Sequence, residues 1–201
     1  RIVKEMKKNG GIMTPKDLSN YKVVEREPVE GNYKNYKVVS MPPSSSGGTH
    51  LIQMLNMLEH FPLNEIGFGS SQYIHLLSEI MKRAYADRSK YLGDSDFVDV
   101  PIKGLISKLY SKKLLKSINL TKATPSDQIS HGSLSRYESP DTTHFSVMDS
   151  SGNAVSNTYT LNFSYGSGIV IPETGILMNN EMDDFSSKPG VPNAYGLIGA
   201  E

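Results

Sequence analysis

The sequence predicts an α+β protein, and three observations predict it. Residues Gln72–Tyr91 carry Tyr73, Leu76, Leu77, Ile80, Met81, Ala84 and Tyr85 at i, i+3/i+4 spacing, the stripe of a helix that buries one face. Beyond Thr142 the period shortens to two: Thr143–Asp149 and Ala154–Asn162 alternate around Ser150-Ser151-Gly152-Asn153, a β-hairpin pattern. The chain of 201 residues is 37% hydrophobic, enough to bury a core around both kinds of element.

In chain order, Arg1–Lys8 reads as a helix closed by Asn9-Gly10-Gly11, since glycine tolerates the left-handed conformation that ends helices. Thr14-Pro15-Lys16-Asp17 starts another, with a hydroxyl N-cap, proline at the first helical position and an acid in the first turn. Tyr21–Val29 and Tyr33–Ser40 are expected to pair as strands about the turn Glu30-Gly31-Asn32. MPPSSSGGTH (Met41–His50) is a loop by composition that leads into the amphipathic helix LIQMLNMLEHF; it is either an anion cradle or, since no GK[ST] ending follows, simply a helix start. Ser107–Ser117 is a lysine-rich helix, and Asn119–Glu138 reads as a flexible polar linker. Ile169–Ile171 and Gly175–Asn179 are expected to continue the sheet of the hairpin.

Lysine plus arginine and aspartate plus glutamate both number 21, so no net field favours nucleic acid or an anionic membrane. With no cysteine, disulfides, thiolate metal sites and cysteine nucleophiles are excluded together. No apolar run approaches the roughly 18 residues that span a bilayer. The chain lacks an initiator Met and stops at Gly199-Ala200-Glu201, which reads as an excised piece of a longer protein.

There is no GxSxG elbow, and the histidines at 50, 60, 75, 131 and 144 form no metal pattern such as HExxH. The adjacent Thr142 and Thr143 stand where the polar linker meets the hairpin. A threonine hydroxyl becomes a useful nucleophile when a base takes its proton, and the amine of an N-terminal threonine, with a pKa of roughly 7.7–8, can be that base. Cutting the Asp141-Thr142 bond would create such a residue. Thr160 and Asn162 are two apart on the returning strand and so are expected on one face. Asn179-Asn180-Glu181-Met182-Asp183-Asp184-Phe185 gathers acids and amides, as a binding site for an ammonium group, as a Ca²⁺ loop without EF-hand spacing, or as a solvated turn.

Longer motifs carry a resemblance. TTHFSVMDSSGNAVSNTYTLN, YGSGI and GILMNNEMDDFSSKPGVPNAYGLIG, with MTPKDLSNYKVVEREPVEG, SMPPSSSGG and AYADRSKYLGD upstream, resemble the γ-glutamyltranspeptidases of the N-terminal-nucleophile hydrolase superfamily. The resemblance covers nearly the whole chain. It implies a four-layer αββα fold and autocleavage at Asp141-Thr142, dividing 1–141, the end of a large-subunit region, from 142–201, the start of a small catalytic subunit. The two subunits would stay together as a heterodimer. It also implies transfer of a γ-glutamyl group from glutathione or similar donors to water, an amino acid or a peptide, without a cofactor, in a periplasmic or secreted protein.

Carried over by position, Thr142 is similar to the family's nucleophile and Thr160 to the hydroxyl that hydrogen-bonds it. Asn162, Glu181 and Asp184 match groups that hold the donor's α-amino end, and Tyr195 matches the tyrosine of a lid loop. His144 receives no role, and the sequon patterns at Asn119 and Asn162 read as chance. The family's arginine for the donor carboxylate, its serine pair and its oxyanion glycines fall outside these residues, so the chain alone is expected to be inactive or nearly so. Poly-γ-glutamate depolymerases and cephalosporin- or glutaryl-type acylases are the alternative enzymes; an unprocessed, non-catalytic homologue is the alternative of another class.

Overall fold

The computed structural model describes residues 1–129, 143–184, 188 and 191–194. The chain forms two compact units, Arg1–Glu25 with Tyr137–Phe185 and Arg26–Arg136 with Ser186–Glu201. Helix α1 (Ile2–Lys8) ends at Asn9, whose side-chain amide donates to Glu5 O at 2.9 Å, and Gly10 follows with φ 80°. Helix α2 (Pro15–Asn20) opens with a capping box: Thr14 Oγ1 accepts from Asp17 N, and Asp17 Oδ2 accepts from Thr14 N at 2.7 Å.

Strands β1 (Val29–Tyr33) and β2 (Tyr36–Ser40) form the expected antiparallel hairpin, with Val29 opposite Ser40 and Tyr33 opposite Tyr36. Its turn is Lys34-Asn35, however, and Glu30-Gly31-Asn32 lies inside β1; of the expected strand Tyr21–Val29, residues 21–28 are not strand. The glycine that suggested a turn has another use. A Cβ on Gly31 would stand 2.5 Å from Ile52 Cγ2, so the missing side chain lets the next helix lie against the strand.

That helix, α3 (Gly47–Leu58), begins inside the glycine-rich loop rather than after it. A Cβ on Gly48 would come within 2.1 Å of Met41 O, so this glycine too serves close packing. A short helix α4 (Leu63–Ile66) precedes α5 (Ser71–Tyr91), which Ser70 Oγ caps by accepting from Tyr73 N at 3.1 Å. After α6 (Ile102–Leu105) comes α7 (Lys108–Leu115), capped in the same way by Ser107. Met57, Leu76 and Ile80 are the buried centre of this unit, with Met54, Leu58, Phe61, Leu114 and Leu115 packed around them.

Helix α5 also buries a polar row that apolar periodicity did not reveal: Glu79, Arg83 and Asp87 are 1%, 3% and 2% exposed. Arg83 Nη1 donates to Glu79 Oε2 at 2.8 Å, while its Nε and Nη2 reach Ser117 Oγ and Ser117 O at 2.7 and 2.5 Å. Lys82 Nζ donates to Glu79 Oε1 and, at 2.6 Å, to Thr124 O. Thr124 N donates to Glu79 Oε1 at 2.9 Å, and His75 Nε2 lies 2.8 Å from Asn119 O. The described part of the expected linker, through Ile129, is therefore fastened along α5 and includes a 3₁₀ turn at Ser126–Gln128. The remainder, with the Asp141-Thr142 bond, lies outside the described residues.

In the other unit, β3 (Thr143–Met148) and β4 (Ala154–Tyr159) pair antiparallel from Thr143 opposite Tyr159 to Met148 opposite Ala154. Asp149 orders the turn: its Oδ1 accepts from Ser151 N and Asn153 N at 2.9 Å each, and its Oδ2 accepts from the Asn153 amide at 2.8 Å. Two-residue strands β5 (Val170–Ile171) and β6 (Ile176–Leu177) pair with each other. Among the described residues they form their own ladder and do not extend the β3–β4 hairpin, which corrects the expectation of one sheet. The four-residue turn Pro172–Gly175 joins β5 to β6, and Met178 N donates to Ile169 O at 2.9 Å just beyond the paired residues. Helices and antiparallel strands together make the class α+β.

Candidate active site

Four of the six residues nominated by sequence lie in the described part of one unit: Thr160, Asn162, Glu181 and Asp184. Thr142 and Tyr195 lie outside the described residues. Thr160 and Asn162 come together by a route other than the one expected. Strand β4 stops at Tyr159, and Asn162 adopts φ 71°, so the two residues do not share a strand face. Instead the chain turns, and Thr160 Oγ1 accepts from Asn162 N at 2.9 Å. Asparagine suits this position because its short polar side chain tolerates left-handed backbone. With its acceptor side taken by Asn162, the Thr160 hydroxyl still has its own proton to donate.

Asn162 is 2% exposed. Its Nδ2 donates to Asn180 O at 3.0 Å, Asn180 N donates to Leu161 O at 3.1 Å, and Phe163 N donates to Asn180 Oδ1 at 3.1 Å. The loop after Asn162 is held to the same segment. Ser167 N and Oγ both donate to Met178 O, at 2.9 and 3.0 Å, and a Cβ on Gly166, where φ is 52°, would meet that oxygen at 2.4 Å. Only glycine permits so close an approach.

The acidic run is a 3₁₀ turn at Glu181–Asp184, opened by Asn179 Oδ1 accepting from Glu181 N at 3.0 Å and joined to Asn180 O by Asp183 N at 3.0 Å. It is more than a solvated turn. Glu181 Oε2 is buried and has no hydrogen-bond partner among the described residues. Burial raises the Glu181 carboxyl above its ordinary range, and the negative charge of Asp184 raises it further. A cation brought to this carboxylate would relieve both effects. Among the described residues, no group of three or more His, Asp or Glu could hold a metal ion, so the Ca²⁺-loop alternative gains nothing here.

A family model described as Gamma-glutamyltranspeptidase matches residues 1–201. The chain belongs to the gamma-glutamyltranspeptidase family. A glutathione hydrolase proenzyme of Escherichia coli (strain K12) is 55% identical over 201 residues, which is 100% of this chain and 35% of that protein. The solved Helicobacter pylori gamma-glutamyltranspeptidase superposes with TM-score 0.61 at 55% identity, covering 63% of this chain and 36% of that one. A cephalosporin acylase from Bacillus halodurans superposes with TM-score 0.74 at 25% identity, covering 98% of this chain and 35% of that one. The chain thus spans about a third of the length of these relatives.

Within this gamma-glutamyltranspeptidase chain, sequence reasoning overlooked Asn180 and Gly166. The signal for Asn180 was an amide directly before Glu181, in a run read for its acids. For Gly166 it was the YGSG stretch, which was used for recognition and not for packing.

Proposed function

We propose that this chain carries the nucleophile and the donor-ammonium pocket of a γ-glutamyl hydrolase and transferase. The observation that carries the reading is the bond from Asn162 Nδ2 to the main-chain oxygen of Asn180, the residue directly before Glu181, whose Oε2 is buried with no hydrogen-bond partner among the described residues. An α-ammonium group of a γ-glutamyl donor is the complement of that pair. Thr143 opposite Tyr159 is the last described rung of the hairpin, and Thr142 and Thr160 are each the next residue beyond it in sequence. That adjacency supports pairing a nucleophile at Thr142 with the Thr160 hydroxyl.

In maturation, Thr142 Oγ attacks the carbonyl carbon of Asp141, the peptide nitrogen leaves as the amine of Thr142, and water hydrolyses the resulting ester. The boundary between 1–141 and 142–201 is therefore a covalent one. It differs from the division into compact units, and the two products remain together as large and small subunits. In turnover, the freed amine takes the Thr142 hydroxyl proton while Oγ attacks the donor's γ-carbonyl. The proton passes to the departing amine, and a γ-glutamyl-threonine ester remains. Water or an acceptor amine then attacks the ester, gives up a proton and restores the hydroxyl. Asn162, Glu181 and Asp184 orient the donor, Tyr195 covers it, and no cofactor takes part.

The family's four-layer αββα architecture, glutathione as a donor and a periplasmic or secreted location complete the proposal. A cephalosporin-acylase-type activity is the second reading, favoured by the superposition that covers 98% of the chain. Glu181 argues for the first, because a glutaryl group has no ammonium to offer it.

The test is a gel of the full-length precursor at neutral pH. Two bands with a new N-terminus at Thr142, and a single band in Thr142→Ala, are expected. A wild-type precursor that stays whole, or a variant that still cuts at this bond, overturns the reading. Faster turnover of glutaryl than γ-glutamyl amides selects the acylase.

A further inference from the structure

Asn180 has no part in the chemistry above, yet its N–H, its carbonyl oxygen and its Oδ1 all meet the site. Its N–H donates to Leu161 O at 3.1 Å, and its Oδ1 accepts from Phe163 N at 3.1 Å, so it grips the backbone on both sides of Asn162. Its carbonyl oxygen accepts from Asn162 Nδ2 at 3.0 Å and from Asp183 N at 3.0 Å. One residue thus ties the Asn162 amide to the turn that carries Glu181 and Asp184. Asn162 holds its left-handed φ of 71° between the two bonds that Asn180 makes to its neighbours.

We propose that Asn180 is a positioning residue that sets the preference for donors bearing an α-ammonium group, an inference that rests on the γ-glutamyl reading. It does so through its side chain. Loss of the Oδ1 acceptor leaves Phe163 N–H without that bond and loosens the backbone after Asn162, so that the Asn162 amide is no longer fixed against Asn180 O, the oxygen that also holds the Glu181–Asp184 turn through Asp183 N. The bond from Asn162 N to Thr160 Oγ1 lies on the other side of the residue and is retained, so the hydroxyl assigned to the nucleophile keeps its place.

The test uses full-length enzyme with two chromogenic amides, γ-glutamyl-p-nitroanilide and glutaryl-p-nitroanilide. In Asn180→Ala, KM for the γ-glutamyl amide should rise about fivefold with kcat nearly unchanged, while kinetics on the glutaryl amide stay as in wild type. Asn180→Asp keeps an oxygen acceptor for Phe163 N–H and should return KM to within about twofold of wild type. A merely structural role would lower both substrates together and would not be rescued by the acid.

An unchanged KM ratio in Asn180→Ala, or Asn180→Asp no better than alanine, overturns the inference. Should the alanine variant fail to mature, Asn180→Leu, which keeps the volume and loses the acceptor, takes its place: a raised γ-glutamyl KM with unchanged glutaryl kinetics supports the inference and an unmoved ratio overturns it. A wild-type enzyme that turns over no γ-glutamyl amide removes the parent reading itself, whereas an active wild type with an unmoved ratio removes only the role of Asn180.

Discussion

Asn162 is where backbone and chemistry meet, because its side chain faces Asn180 O while its main chain holds φ 71°. The two contributions separate by substitution. Asn162→Gly removes the amide and relaxes the backbone; Asn162→Ala removes the amide and leaves a Cβ in left-handed space, at about 1 kcal/mol. In full-length enzyme both variants should raise donor KM by a similar factor, and thermal melting should show the alanine variant alone clearly below the glycine one. Equal melting temperatures would mean that the positive φ imposes no constraint. Asn162 and Glu181 were nominated through long motif resemblance, but the left-handed turn was not legible, since strand alternation carries on past Tyr159 in the residue pattern and nothing local marks the stop. Asn180 was illegible for a related reason: its contacts are mostly main-chain, and main-chain bonds leave no mark on residue type.

Among elements, α5 shows most clearly what periodicity reads and what it overlooks. Its length and apolar face were legible because Leu76, Ile80 and Ala84 recur at helical spacing and all are buried. The row Glu79, Arg83 and Asp87 recurs at the same spacing, yet charged residues are counted as solvent-facing unless paired partners are known. The β1–β2 turn was misplaced because Gly31 serves a neighbouring helix, a use that only the packed structure reveals. Glu79 yields a prediction with a definite sign. Burial alone would raise its carboxyl, but hydrogen bonds from Lys82, from Thr124 and from Arg83 outweigh it and hold the group at about 2. A depressed folded value means that the stabilisation is fully present above the ordinary value of 4.5 and is lost as pH falls from there through about 2. Glu79→Ala leaves Arg83 with its Ser117 bonds but without its buried counter-charge, and should cost about 3 kcal/mol at neutral pH. Melting curves across that acid range should slope for wild type and run flatter for the variant; parallel slopes would show that the pair carries no pH linkage.

At the scale of the whole chain, stability is expected to be uneven, because its two kinds of structure are supported differently. Helices α3 and α5 meet across Met57, Leu76 and Ile80, each no more than 2% exposed, with α7 side chains closing around them. The β3–β4 ladder has no such support among the described residues: Phe145, Val147, Val155 and Tyr159 alternate with polar residues but are 45–60% exposed. A two-stranded ladder whose apolar side chains are this exposed is marginal in water. Local opening should follow that contrast, since amide exchange reports the free energy of the smallest opening that exposes a given N–H. In the 201-residue polypeptide, amides of Leu76–Ala84 should exchange at least about a hundredfold more slowly than those of Phe145–Met148 and Val155–Thr158. The Asp149 turn does not alter this, because its hydrogen bonds fix the register of the strands without covering either face. Matching exchange rates in helix and hairpin would refute the contrast and show that the hairpin opens only together with the helical core.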